Sequence, residues 1–67
     1  MKMEKAYGPG IQAFGYDERS GELVIQWPRM TVRYPVGIEQ FWLLQNAPDK
    51  TAFVNKKIKP YLPVRKD

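Results

Sequence analysis

Residues Glu22–Tyr34 constrain the fold more than any other stretch. Leu23, Ile25 and Trp27 alternate with Glu22, Val24 and Gln26, and a period of two marks a strand with one buried face. Pro28, Arg29 and Met30 interrupt the pattern. It resumes with Val32 and Tyr34 on one side and Thr31 and Arg33 on the other. Two alternating β-branched and aromatic runs joined by a short proline-containing break predict a β-hairpin. The rest of the chain must cover the apolar side of that hairpin.

A chain of 67 residues makes one small domain. It buries only roughly 60% of its unfolded surface, and its core supplies about 3–5 kcal/mol of net stability. There is no cysteine, which removes disulfides, thiolate metal sites and thiol catalysis and points to a reducing, cytoplasmic compartment. Histidine is also absent, so the usual general base and the commonest metal ligand are missing. No apolar run approaches the roughly 20 residues of a membrane span. The start, Met1-Lys2-Met3-Glu4-Lys5, is charged and lacks the apolar segment of a signal peptide. The expectation is a protein without cofactor, metal or membrane partner. Its net charge of +4 and pI of about 9.6 favour an acidic partner, either nucleic acid or an acidic protein surface. The same charge also serves solubility alone.

Taken in order, residues 1–10 lack periodicity and end in Gly8-Pro9-Gly10, which predicts a flexible tail and a turn before a single domain over 11–65. Ile11–Tyr16 reads as the first strand, with its buried face left open between Phe14/Tyr16 and Ile11/Ala13. Asp17–Gly21 is a turn, since Asp17 can bond the backbone two residues on and Gly21 tolerates positive φ. Glu22–Trp27 and Met30–Tyr34 follow as strands. Ile38–Ala47 has no Gly or Pro and is stopped by Pro48, which predicts a helix. Asp49 can cap a second, shorter helix running to about Lys57. Pro60 and Pro63 leave Lys59–Asp67 extended, with Tyr61, Leu62 and Val64 placed to lie on the core. The predicted fold is α+β: a three-stranded antiparallel β-meander followed by two short helices packed on one face. Its core holds Leu23, Ile25, Trp27, Val32, Tyr34, Phe41, Leu44, Phe53 or Val54, and Ile58.

Phe14-Gly15-Tyr16-Asp17, Arg33-Tyr34, the Phe41/Leu44/Ala47 spacing, Asn55-Lys56-Lys57-Ile58-Lys59 and Tyr61 occur in this order. The order resembles the KTSC domain, a small domain named after its place at the C-terminus of some lysyl-tRNA synthetases and also free-standing in bacterial and phage proteins. The similarity covers about Ile11 to Arg65. Val32 stands where the family tends to have the first tyrosine of a Tyr-X-Tyr, so no role of that tyrosine carries over. The link Pro35-Val36-Gly37 is one residue shorter than usual. The resemblance implies no established activity; RNA binding is what it suggests.

The carboxylates Glu4, Asp17, Glu18, Glu22, Glu39, Asp49 and Asp67 include no pair spaced for acid–base work. Gly8-Pro9-Gly10 does not match a phosphate loop. No catalytic residue is assigned, and an enzyme is not expected. Lys50, Lys56, Lys57, Lys59, Arg65 and Lys66 crowd the last third of the chain. Of these, Lys56, Lys57, Lys59, Arg65 and Lys66, with Tyr61 among them to stack a base, form a candidate nucleic-acid surface, RNA favoured. Lysines at a helix C-terminus are also favoured by the dipole alone. The outer sheet face, taken as Glu22, Val24, Gln26, Thr31 and Arg33, carries no ring, so an RRM-like platform is not expected. On the first helix, Phe41, Leu44 and Ala47 share one arc, while Trp42 falls outside it with Ile38 beside it. Ile38 and Trp42 are therefore candidate protein-interface residues, for a homodimer or for a partner of a phage-type regulator or inhibitor. Alternatively the helix is rotated, or the tail Tyr61–Val64 covers Trp42.

Overall fold

The hairpin expected from the alternating runs sits in the middle of a larger antiparallel sheet. A computed structural model describes residues 2–6 and 10–61, and the backbone of 65–66. The strands are β1 (Met3–Lys5), β2 (Ala13–Asp17), β3 (Glu22–Gln26), β4 (Thr31–Tyr34) and β5 (Arg65–Lys66), and they lie side by side in chain order. Helix α1 (Ile38–Asn46) and a second helical segment that begins as α2 (Lys50–Phe53) come between β4 and β5. The α+β class and the central meander agree with the sequence reading. The sheet gains a short strand at each edge.

The register fixes which side chains meet. Ile25 stands opposite Phe14 in β2 and Val32 in β4, and Leu23 opposite Tyr16 and Tyr34. These six residues share one face because successive strand residues alternate. That face holds the core: Ile11, Phe14, Leu23, Ile25, Val32, Tyr34, Val36, Leu44, Val54 and Ile58 are buried together. The open question on β2 is thus resolved in favour of Phe14 and Tyr16. The Tyr16 hydroxyl donates to the Val36 carbonyl at 2.9 Å, which ties β2 to the link before α1.

Three expectations need correction. Residues 3–5 are not a tail: Met3, Glu4 and Lys5 pair with Gly15, Phe14 and Ala13. Gly15 makes this possible, since a Cβ there would lie 2.7 Å from the Met3 sulfur and 2.8 Å from the Lys2 carbonyl oxygen. Second, β3 ends at Gln26, and Trp27 is only half-buried against the core rather than within it. Pro28 ends the run, and the Trp27 N–H turns to bond the Met30 carbonyl at 2.7 Å. Third, Val24 is only 2% exposed although it faces away from the helices. It lies in the middle strand of five, between Gly15 and Arg33 in register. Glu22 on that face is also buried, and Thr31 and Arg33 are half-buried. Of the five residues assigned there, Gln26 alone is fully exposed.

The turns follow their residues. The Arg19 N–H bonds the Asp17 carboxylate at 3.1 Å, the Gly21 N–H bonds the Asp17 carbonyl at 2.8 Å, and Gly21 has φ +69°, as the turn chemistry requires. Gly10 has φ +101° and passes so close to α2 that a Cβ would overlap the Thr51 side chain. The Ile11 N–H next to it donates to the Thr51 hydroxyl at 3.3 Å.

Helix α1 ends at Asn46, one residue before the expected boundary, with Pro48 closing it. Leu44 is its one buried residue. Phe41 packs beside Phe14 and Tyr16, with ring centroids 5.8 and 6.2 Å apart. Asp49 caps α2 as expected, accepting the Ala52 N–H at 3.0 Å. The second helix then widens into a π-helical turn over Val54–Ile58, closed by the Lys59 N–H on the Val54 carbonyl at 2.8 Å.

Candidate nucleic-acid interface

The widened turn sets the candidate surface. Val54 and Ile58 point inward and are fully buried. The three residues between them, Asn55, Lys56 and Lys57, are all exposed, and Lys59 is exposed just after. Such turns recur at functional sites. Lys59 and Pro60 continue in a turn rather than an extended tail, and the Tyr61 N–H bonds the Ile58 carbonyl at 2.9 Å. Tyr61 is 46% exposed, so it does not lie on the core as expected from the sequence.

Trp27 belongs to this surface, and the sequence reading missed it. The Lys59 ammonium lies 5.2 Å from the centroid of the Trp27 ring, a cation–π contact. Arg29, at the tip of the same turn, is exposed, and Met30 is 43% exposed. The register also brings the C-terminal segment here. Lys66 pairs with Val32 and Arg65 with Arg33, near the start of β4. The side chains of Arg65 and Lys66, and residues Leu62–Val64, lie outside what the structure describes. Arg29, Lys59 and the backbone of Lys66 thus converge on one end of the sheet from three parts of the sequence. A break of alternation at a tryptophan followed by proline was the available signal for Trp27.

The opposite sheet face has its central arginine paired with carboxylates. Arg33 reaches both Asp17 and Glu22 at 3.2 Å, so two carboxylates meet one guanidinium. Burial pulls the Asp17 carboxyl upward, but bonds from Arg33, the Arg19 N–H and Ser20 outweigh it and hold it below the usual range. Burial works against the Arg33 charge, and its bonds to Asp17 and Glu22 overcome this, leaving its pKa raised. In register the three central strands put Ala13, Gly15 and Asp17 beside Glu22, Val24, Gln26, Thr31 and Arg33 on this face, with no aromatic ring among them, and Met3 and Lys5 lie on it opposite Gly15 and Ala13.

The other candidate surface is on α1. Trp42 is 52% and Leu43 54% exposed. Ile38 is half-buried and forms, with Tyr16 and Phe41, the apolar wall of a groove of about 630 Å³. The rim of that groove mixes Lys2 and Arg19 with Glu4, Asp17 and Glu18. The rotated helix, in which Trp42 faces the sheet, does not occur. Leu43, not singled out from the sequence, is as open as Trp42. The Asn46 side chain donates to the Trp42 carbonyl at 2.9 Å and closes the end of this face.

No family model matches the chain, and no curated protein matches it. Among the described residues there is no group of three metal-binding side chains, and no helix is long and apolar enough to cross a membrane.

Proposed function

We propose that this chain is a small non-enzymatic module that binds RNA or another nucleic acid through its basic C-terminal helix and tail. The observation that carries the reading is the exposed run Asn55-Lys56-Lys57 with Lys59 beside Trp27 and Tyr61. Lysines provide phosphate contacts, and nearby rings provide base contacts. The backbone of Arg65 and Lys66 pairs with β4 beside this end of the sheet. The KTSC-like order of residues points the same way. Filter binding of mixed RNA and DNA at two salt concentrations tests it. Three phosphate contacts predict a loss of about 20-fold in affinity from 50 to 200 mM salt on a single strand. No binding at low salt ends the proposal.

A second reading is favoured by the exposed Trp42–Leu43 pair: a protein-binding module, such as a phage-type regulator or inhibitor of a host protein. A large aromatic anchor on a short helix suits such a contact. Sedimentation and pull-down, comparing the wild type with Trp42→Ala, test it. Equal partner recovery and an unchanged sedimentation coefficient count against it.

A further inference from the structure

We propose that the nucleic acid is recognised as a single strand, with one unpaired base stacking on Trp27 in place of the Lys59 ammonium. The inference rests on the nucleic-acid reading above. It names the ligand's form and a contact residue.

The Trp27 ring is held in place before any ligand arrives. Its inner side packs on the core, the backbone N–H of the residue is tied to the Met30 carbonyl at 2.7 Å, and Pro28 follows with a fixed φ. The Lys59 ammonium lies over the ring at 5.2 Å, carried by an exposed side chain. An exposed cation–π contact favours the closed arrangement by a factor of only about 2 to 5. A stacked base favours the open one by about 5- to 150-fold. Stacking therefore wins, and the displaced ammonium remains close enough to meet the phosphate of the same nucleotide. Arg29 and Tyr61 are exposed on either side in sequence, one at the tip of the Trp27 turn and the other two residues after Lys59.

A duplex does not suit this arrangement. Its bases have both faces covered by neighbours, and a ring at a turn has access only to a base that is unstacked. Among the described residues the sheet offers no second aromatic platform, because the outer face of its three central strands has no ring and Arg33 is engaged by two carboxylates. Helix α1 has Glu39 as its one charged residue and lacks the cations to follow a groove.

The test uses Trp42→Phe protein, in which Trp27 is the only tryptophan. Unlabelled oligo(U) is titrated while Trp27 emission is read, and anisotropy of labelled oligo(U) and of a labelled RNA duplex reports binding independently. Oligo(U) should bind more tightly than the duplex and quench Trp27 over the same concentration range. Lys59→Met should retain the quench and change affinity by less than about 5-fold, whereas Trp27→Leu should weaken oligo(U) binding by about 5- to 150-fold. Because Trp27 touches the core, the emission of the Trp42→Phe protein decides the matter if Trp27→Leu fails to fold. Binding of oligo(U) with unchanged Trp27 emission, or equal affinity for the duplex, overturns the stacking proposal and leaves the nucleic-acid reading standing. Binding of neither RNA at low salt overturns both.

Discussion

Replacing Ile25 with alanine removes three carbons from the most enclosed point of the sheet. Ile25 has no exposed surface, sits in the middle strand, and faces Phe14 on one side and Val32 on the other. At about 0.8 kcal/mol per methylene, the lost transfer energy is about 2.4 kcal/mol. The cavity left between two rigid strands raises this to about 3–4 kcal/mol, within the range for such truncations. A domain of this size has about 3–5 kcal/mol in total. With a urea m-value of about 1 kcal/mol/M, the midpoint falls by about 3 M, which leaves a protein close to half unfolded without denaturant. Ile25→Val, which removes one carbon, should cost about 1 kcal/mol and keeps the measurement on scale. The exposed neighbour Gln26→Ala should stay within about 0.5 kcal/mol of the wild type. Urea melts followed by circular dichroism read all three. An Ile25→Ala midpoint within about 0.5 M of the wild type would take Ile25 out of the core and refute the assignment of faces.

Gly10→Ala should cost about 1–3 kcal/mol, because it combines a positive φ with overlap against Thr51; a thermal melt unchanged from the wild type contradicts the close approach. Asp49→Ala removes the acceptor for the Ala52 N–H and should cost about 1 kcal/mol, read in the same melts. The Asp17 carboxyl lies lower in the folded chain than in the unfolded one. Its contribution is therefore complete above the unfolded value of about 3.9 and is lost as pH falls through the folded value. Asp17→Asn should flatten that acid limb of melting temperature against pH, and an unaltered slope rejects the Arg33 link. Tyr34 has the opposite sign: burial raises its pKa, so stability is complete below about pH 10 and is lost as pH rises through the folded value. Tyr34→Phe should remove part of that alkaline loss.

The middle of the sheet was legible because its physics is local. Alternation identified Leu23, Ile25, Val32 and Tyr34, and the helical arc identified Phe41, Leu44 and Ala47, of which Leu44 is buried and the other two half-buried. The edges were not legible, because their cause is non-local. Three residues at Met3–Lys5 show no period, and their pairing depends on a glycine ten or more positions away. Val24 reads as outward-facing, which it is; its burial comes from membership of the middle strand, which no local pattern reports. The π-helical turn was hidden for another reason. Val54 and Ile58 are four apart, a spacing an α-helix also satisfies, and it is the backbone bonding, such as the Lys59-to-Val54 bond, that distinguishes the two. Ile38 and Trp42 looked alike on the helical projection. The projection has no place for Tyr16 of β2, which shares a groove wall with Ile38 and Phe41, while Trp42 stays open.

Charge separates the two surfaces more sharply than composition does. All of α1 carries one charge, Glu39, while the open side chains at the other surface include Arg29, Lys56, Lys57 and Lys59. A partner docking on Trp42 and Leu43 gains by burying apolar area, and that gain is nearly independent of salt. A partner docking at the basic end gains by releasing counterions, and that gain falls steeply with salt. The fold keeps the two apart by giving them different jobs within the core. Helix α1 lends Leu44 and Phe41 to the sheet and leaves Trp42 and Leu43 open, whereas the widened turn lends Val54 and Ile58 and presents its lysines to water. In so small a domain the same residues that complete the core also determine what is left over for a partner. A single α-helical turn in place of the wide one would alter Lys56, Lys57 and Lys59 relative to Trp27, so the π geometry links core packing directly to the character of the basic surface.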